Sequence, residues 1–445
     1  MMKMRGLVIA VVVLAALAGG VWWSNKAKKD EAAKSASSAS TSPKILTLPE
    51  DRIAKVEIRK TGADATVIEK KGGKWELTAP KALAADQDAA GSIASAVAAL
   101  NADRIIEEKA QDLAQYGLVS PSIEVTVTEK DGKNRELLIG DETPTGSNYY
   151  AKLQDDPRVF TIASFTKTTF DKTAADLRDK RLLTFNSDKL TRVELLAKGQ
   201  DVEFGKNNQN DWQILKPQPL RADGGQVEEL VRKLRDAKMD TSASAEDEKK
   251  AASGFASGAK VAIAKVTDSS GTEQMEVRRD KDRNYYAKSS VLEGVHKLTA
   301  EVGDGLDKSL DDFRNKKVFD FGWNDPSKIE VRDGSRQLVL QKSGDKWMAG
   351  GKQMDSATTQ AMIDQLRDLA ATKFPDRGFT TPALEATVTS NEGKRVERVS
   401  FARNGNDWFA RREGEPGLYQ VDPKNIGALQ KAIGAVKEAA SAKKK

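Results

Sequence analysis

The sequence predicts an α+β protein in which an N-terminal transmembrane helix precedes three tandem repeats of one module, arranged as an elongated array. Two observations support this prediction. Residues 7–23 form an uncharged, largely apolar run, and a tryptophan that follows a turn recurs as Trp75, Trp212 and Trp347. Each copy contains alternating apolar and polar segments typical of half-buried strands, and others with helical spacing. We therefore expect each module to combine a mixed antiparallel sheet with helices.

The N-terminal run is expected to anchor the chain in a membrane. Residues 7–23 are long enough to reach the low end of a bilayer span, and Trp22 and Trp23 follow at the depth of the membrane interface. We therefore expect residues 1–6 to be a cytoplasmic tail, 7–23 the anchor in the bilayer and 24–44 a flexible linker. A cleaved signal peptide is the alternative, since Ala16-Leu17-Ala18 fits a cleavage site.

Both interpretations export the body of the chain. Because the tail before the anchor is very short, we expect a single-pass protein of the bacterial inner membrane with its bulk in the periplasm. The absence of cysteine from the chain is consistent with this location.

The 445-residue chain is too long for one core, and the repeat divides it into modules at 45–185, 186–321 and 322–445. In each module an aspartate precedes a helical pattern, namely Asp86, Asp223 and Asp355. A short carboxylate there accepts the free amides of the first turn, so we expect these residues to be N-caps. The third module ends in a helix from about Pro423, which is expected to cap the array.

Two further blocks recur. The first surrounds Gly117, Gly254 and Gly378 and leads into an alternating strand. The second includes Arg178 and Arg314 and shows no third copy in the sequence. Because it occurs only where another module follows, we expect it to pack the inter-module junction, with both arginines reaching the next module.

An aromatic pair recurs once per module, before a strand that begins at Val159, Val295 or Leu418. Neighbouring strand residues point to opposite faces, so one member of each pair is expected in the core, and the other faces the side where it is either exposed or covered. Exposed members would be candidate ligand or partner contacts. The alternative is that they cover an adjacent helix. The pairs are Tyr149 and Tyr150, Tyr285 and Tyr286, and Trp408 and Phe409.

Composition excludes several kinds of chemistry. With no cysteine and one histidine, thiol nucleophiles and soft-ligand zinc sites are not expected, and no cofactor is indicated. His296 aligns with Phe160 and Tyr419, which indicates a packing position. The net charge of +6 arises from basic residues at the two ends of the chain around a mildly acidic body, so nucleic-acid binding is not expected.

The recurring set resembles the bacterial domain-of-unknown-function family DUF4340. The residues that carry the resemblance are Gly73-Lys74-Trp75-Glu76-Leu77, Ala85-Asp86, Tyr116-Gly117-Leu118 with Pro121, Tyr150-Ala151 and Leu177-Arg178-Asp179-Lys180. Members of that family are often encoded beside ABC-type export permeases and gliding-motility auxiliary components. The resemblance implies tandem α+β modules behind a membrane anchor and no catalytic residues.

We therefore expect a non-enzymatic, membrane-anchored extracytoplasmic scaffold or partner-binding protein. Its partners would belong to an ABC-type export complex or a gliding-motility-like envelope complex. The first alternative is a carbohydrate- or peptide-binding envelope module that uses the aromatic pairs. The second is an envelope hydrolase with a carboxylate pair.

Overall fold

The structure is a computed structural model that describes residues 42–240, 243, 245–323 and 326–440. The predicted anchor 7–23, with Trp22 and Trp23, lies outside these residues. No helix within the described ranges combines the length and the apolar character needed to cross a membrane. The chain divides into two compact units, and the boundary lies between Asp179 and Lys180.

The first unit contains one nine-stranded antiparallel sheet. Its strands are β1 (Ile53–Lys60), β2 (Thr66–Lys71), β3 (Lys74–Ala79), β4 (Leu83–Ala84), β5 (Arg104–Glu107), β6 (Ile123–Glu129), β7 (Asn134–Glu142), β8 (Asn148–Leu153) and β9 (Val159–Ala163). They lie in the order β4-β3-β2-β1-β6-β7-β8-β9-β5. Helices α1 (Gln87–Ala98), α2 (Ser164–Phe170) and α3 (Ala174–Leu177) belong to the same unit.

The second unit contains two further antiparallel sheets. The first comprises β10 (Arg192–Ala197), β11 (Gln200–Lys206), β12 (Trp212–Lys216), β13 (Leu220–Arg221), β14 (Ala259–Asp268), β15 (Gly271–Arg279), β16 (Tyr285–Ser289) and β17 (Val295–Leu298). These strands lie in the order β13-β12-β11-β10-β14-β15-β16-β17. The accompanying helices are α4 (Gly224–Arg235), α5 (Ala245–Ser257), α6 (Ala300–Leu306) and α7 (Leu310–Phe313).

The last sheet repeats this plan. It comprises β18 (Lys328–Asp333), β19 (Arg336–Ser343), β20 (Lys346–Ala349), β21 (Lys352–Gln353), β22 (Ala371–Lys373), β23 (Pro382–Ser390), β24 (Arg395–Asn404), β25 (Asp407–Arg412) and β26 (Leu418–Val421), in the order β21-β20-β19-β18-β23-β24-β25-β26-β22. Its helices are α8 (Ser356–Arg367) and α9 (Pro423–Ala435). The predicted α+β class and the three repeated sheets are therefore confirmed.

The strand register shows that the modules are copies of one plan. The alanine after each aromatic pair lies opposite the equivalent residue of the last long strand, as Ala151 to Phe160, Ala287 to His296 and Ala410 to Tyr419. These strands begin at Val159, Val295 and Leu418, as the sequence predicts. His296 is half-buried and contacts the Glu293 carbonyl through Nε2 at 2.9 Å.

The helix after each first hairpin forms for local reasons. Asp86, Asp223 and Asp355 have extended backbones, and each side chain accepts amide hydrogen bonds from the first turn. The predicted N-caps are therefore confirmed. The apolar face of each helix is buried against its sheet, through Ile93 and Val97 in the first module and Leu230 and Leu234 in the second.

Each module also contains a short segment that pairs with the aspartate region. The amides of Asp86 and Asp223 donate to the carbonyls of Leu177 and Phe313. In the third module Asp355 donates to the Lys437 carbonyl at 2.9 Å. Residues 436–439 therefore supply the third copy of the block that the sequence lacks, because backbone pairing at this position does not require the same side chains.

The chain passes directly from the second module to the third. Arg314 forms a backbone bridge with Ala222 of the second module, and Lys317 forms one with Ala370 of the third. Residues 180–182 likewise pair with 237–239, since Leu182 donates to the Ala237 carbonyl. The chain segments that lead into the second and third modules therefore pair with the residues that follow helices α4 and α8 of those modules.

Candidate functional site

A cluster of charged side chains lies where the second and third modules meet inside the second compact unit. We call it the junction cluster. Strand β13 supplies one arginine and the residue after α7 another, and the rest come from β24 and the hairpin β25–β26 of the third module. The hairpin forms because Gly414 adopts a positive φ of 80° between the two strands. The members are Arg221, Arg314, Glu397, Arg412, Glu415 and Tyr419.

Glu415 is the centre of the cluster. Its Oε1 lies 2.8 Å from Nε of Arg221 and accepts a hydrogen bond from Nε of Arg412 at 2.7 Å. Its Oε2 accepts the Tyr419 hydroxyl at 2.5 Å. Burial raises the pKa of the Glu415 carboxyl, but the two guanidinium groups and the Tyr419 hydroxyl together lower it by more, so the pKa lies below its ordinary value. One carboxylate thus joins an arginine of the second module to the hairpin of the third.

Arg412 and Glu397 form the buried part of the cluster, with 8% and 4% of their surfaces exposed. Nη2 of Arg412 donates to Oε1 of Glu397 at 3.0 Å, and Nη1 donates to the Val318 carbonyl. Glu397 also accepts the backbone amide of Asp320 at 3.0 Å. The pair therefore fixes the segment through which the chain enters the third module.

Arg314 reaches the third module, the direction expected from the sequence. Its guanidinium lies 3.8 Å from the ring centroid of Phe374, and that ring packs edge-on against Tyr419 with centroids 5.5 Å apart. Burial lowers the pKa of Arg314, and Asp311 lies 3.7 Å from Nη1. Nη2 makes no hydrogen bond within the described residues and lies against Gly417, where an added Cβ would clash with it.

The charges of the junction cluster pair with one another across the two modules, as expected for a structural contact. The charges of Arg221 and Arg412 are balanced by those of Glu415 and Glu397, and Asp320 lies 3.8 Å from Nη1 of Arg221. Burial raises the pKa of the Tyr419 hydroxyl, which stays protonated and donates its hydrogen bond to Glu415. This arrangement holds two modules together. No His, Cys, Asp or Glu group placed to hold a metal ion occurs within the described ranges.

The aromatic pairs lie deeper than expected. Tyr285, Tyr286, Trp408 and Phe409 are all buried, with 3%, 7%, 8% and 7% exposed. The interpretation with one exposed member per pair is therefore wrong for the second and third modules, and in the second module Tyr286 covers helix α5 at Gly254, as the alternative predicts. In the first, Tyr149 and Tyr150 are half-buried.

The repeated glycine block explains this burial. Added Cβ atoms would lie 2.5 Å from Tyr286 at Gly254 and 2.6 Å from Phe409 at Gly378, so the block covers the second ring of each pair. In the first module Tyr116 of the same block packs on Tyr150, with ring centroids 4.9 Å apart. Nothing in this geometry favours a row of ligand-stacking sites.

The other predicted site residues are placed as follows. Arg178 forms a backbone bridge with Ala85 inside the first unit, the counterpart of the bridge between Arg314 and Ala222. Sequence reasoning missed Arg221, Glu397, Arg412 and Glu415. Their partners lie as far as 198 positions apart along the chain, as for Arg221 and Tyr419. One feature of the sequence does point to the cluster: Tyr419 places a hydroxyl at a position where the first module has Phe160.

Comparison with known proteins agrees with this modular plan. The family model described as "Domain of unknown function (DUF4340)" matches residues 75–213 and 212–389, well over half of the chain. The chain belongs to this family. No curated protein and no solved structure matches it. The two DUF4340 matches begin at Trp75 and Trp212, which are equivalent residues of the first and second modules; the first match ends where the second period begins, and the second match continues into the third module.

Proposed function

We propose that this DUF4340 protein is a non-enzymatic scaffold that is anchored in the inner membrane and binds partner proteins on the extracytoplasmic side. The observation that carries the proposal is the junction cluster. Buried Arg412 pairs with buried Glu397, with half-buried Glu415 and with the backbone of an adjoining segment, and Glu415 also contacts Arg221 of the second module. Such an arrangement stabilises the position of one module on the next, which is what a scaffold requires.

The sequence supports the placement of this scaffold at a membrane. Residues 7–23 have the length and apolar character of an anchor, and residues 24–44 have the composition of a flexible tether. The association of DUF4340 proteins with ABC-type export permeases makes such a transporter, or a gliding-motility-like complex, the partner that we propose. The buried aromatic rings provide no comparable support for a carbohydrate- or peptide-binding module.

Affinity purification tests this proposal. A C-terminally tagged full-length chain is extracted from its own membranes in mild detergent, and we expect stoichiometric recovery of permease or ATPase subunits of one transporter. The matched control carries Val12→Arg and Leu14→Arg, which place two charges in the apolar run. This control is expected to lose both membrane association and the partners. Recovery of the unmodified chain alone would contradict the proposal.

Topology is tested separately. Protease added to intact spheroplasts is expected to degrade the tagged body of the chain, because the body lies outside the cytoplasm. Full protection of the body, with degradation after lysis, would contradict the proposed orientation.

A further inference from the structure

A groove between α1 and α2 distinguishes the first module from the others. It has a volume of about 360 Å³. Its lining is mostly small or apolar, and Phe165 at its rim has 77% of its surface exposed. We call it the first-module groove. Its principal lining residues are Ser42, Ala96, Ala99, Phe165, Thr166 and Thr169.

The same groove exists in the second module, between α4 and α6, but charged side chains line it. Lys233 is the counterpart of Ala96, and Asp236 and Glu301 are the counterparts of Ala99 and Phe165. Lys233 lies along Gly305, where an added Cβ would clash with its Cδ, and its Nζ lies 3.7 Å from Glu301. The remaining volume is about 240 Å³.

The third module closes the corresponding space with a longer helix. Helix α9 packs on α8 and buries Ile426, Leu429 and Ile433. Lys424 takes the place of Phe165. The groove is therefore open in the first module, lined by charged side chains in the second and covered by a helix in the third. Of the three, the first module combines an open groove with an exposed aromatic side chain. An apolar surface that the other copies fill or cover indicates a binding site for a partner.

The position of the groove along the chain indicates where the partner lies. Ser42 lines the groove, and residues 24–41 separate it from the proposed anchor. A segment of this length with the composition of a flexible linker has an expected end-to-end distance of roughly 25 Å. With residues 7–23 in the bilayer, as proposed above, the first-module groove stays close to the membrane surface.

Charge indicates the chemistry of the partner. The exposed Asp103 lies at the groove and accepts a hydrogen bond from Asn148 through Oδ2 at 2.8 Å. We propose that the first-module groove binds a segment of a membrane-protein partner that presents an aliphatic or aromatic side chain next to a lysine or arginine. The apolar side chain enters between Ala96 and Phe165, and the basic residue pairs with Asp103. This inference rests on the proposed scaffold function.

Site-specific photocrosslinking tests the inference in the full-length chain in its own membranes. Benzoylphenylalanine replaces Phe165, and in the matched control it replaces the equivalent Glu301. We expect one protein adduct from position 165 and none from position 301. Mass spectrometry should place the crosslink in a partner segment with an apolar residue beside a basic one.

Two variants decide whether the groove itself makes the contact. The pair Ala96→Lys and Ala99→Asp introduces the second-module side chains, and Asp103→Lys reverses the charge. Each is expected to weaken the adduct at least fivefold. Because Ala99 and Asp103 are exposed, the single variants Ala99→Asp and Asp103→Lys should leave the thermal midpoint unchanged.

Several outcomes would overturn the inference: an adduct to lipid, an adduct to a second copy of the chain, no adduct, or an adduct that survives both variants. If the chain co-purifies with a transporter but gives any of these results, the proposed binding at the first-module groove is contradicted and the proposed scaffold function is not. A chain recovered alone overturns both.

Discussion

Removing the charge of Glu415 should loosen the joint between the second and third modules. Glu415→Gln keeps the shape of the side chain but leaves Arg221 and Arg412 without their shared carboxylate. Losing one partner of a buried ion pair costs about 3–5 kcal/mol. Arg412 retains Glu397 at 3.0 Å and Arg221 retains Asp320 at 3.8 Å, so we expect a loss of about 2–3 kcal/mol.

Hydrogen–deuterium exchange of the hairpin 407–421 measures this loss in the intact chain. A loss of that size accelerates exchange about 30- to 150-fold where exchange follows opening of the hairpin. The matched control is Glu413→Gln in the same hairpin. Glu413 pairs with Arg398 at 2.8 Å, and both side chains are about 60% exposed, so this change should cost less than about 0.5 kcal/mol.

The pH dependence identifies the charge as the cause. The folded-state pKa of Glu415 lies below the ordinary value of 4.5, so its stabilisation is complete above that pH and is lost as the pH falls through the lowered pKa. The difference between the wild-type chain and Glu415→Gln should therefore be full at pH 7 and shrink below about pH 4.5. Equal losses for the Glu415 and Glu413 variants, or a difference that persists unchanged into acid, would refute the reasoning.

Three other predictions concern packing and ionisation. Gly417→Ala should lower the free energy of unfolding by about 1–3 kcal/mol in thermal unfolding, because the new Cβ meets Arg314. The control Gly427→Ala places its Cβ in open space and should be neutral or stabilising. Tyr286→Ala should lower stability by about 3–5 kcal/mol, since the ring is buried; an unchanged melting temperature would contradict its core placement. The hydrogen bond to Glu107 raises the pKa of Tyr116 to about 12, so Glu107→Gln should lower that pKa in ultraviolet titration.

Local patterns predicted the module well because they depend on neighbouring residues. An aspartate before a helical pattern needs only the next three amides to become an N-cap, and Asp86, Asp223 and Asp355 all do so. The recurring tryptophans likewise mark equivalent strands. Trp75 and Trp212 are buried, while Trp347 is half-buried.

The junction cluster could not be predicted in the same way. Its ion pairs connect strands of two modules, and each partner has the ordinary composition of a strand or turn. The burial of the aromatic pairs could not be predicted from strand alternation for a related reason, because it depends on residues distant in the sequence. Strand alternation assigns Tyr286 and Phe409 to the face away from the sheet core, but the glycine block, distant in sequence, covers that face.

The first module carries a different version of the junction chemistry. Glu415-Pro416-Gly417 of the third module aligns with Asp156-Pro157-Arg158 of the first. In the third module, Gly417 leaves space for Arg314 of the second module. The first module has its own arginine at that position, and Arg158 pairs with Asp156 through Nε at 2.9 Å and Nη2 at 2.6 Å.

This internal pair takes the place of the arginine that the second module contributes to the third. Its hydrogen bonds lower the pKa of Asp156, as expected for a carboxylate held by a guanidinium. The third module shows a matching change at its other face, since Glu438 stands where the second module has Arg314 and pairs with Lys352 at 2.6 Å in an exposed position. Repeat proteins need outer faces that do not recruit further copies. The substitutions at Arg158 and Glu438 meet that requirement, because each replaces a contact between modules with an ion pair inside one module.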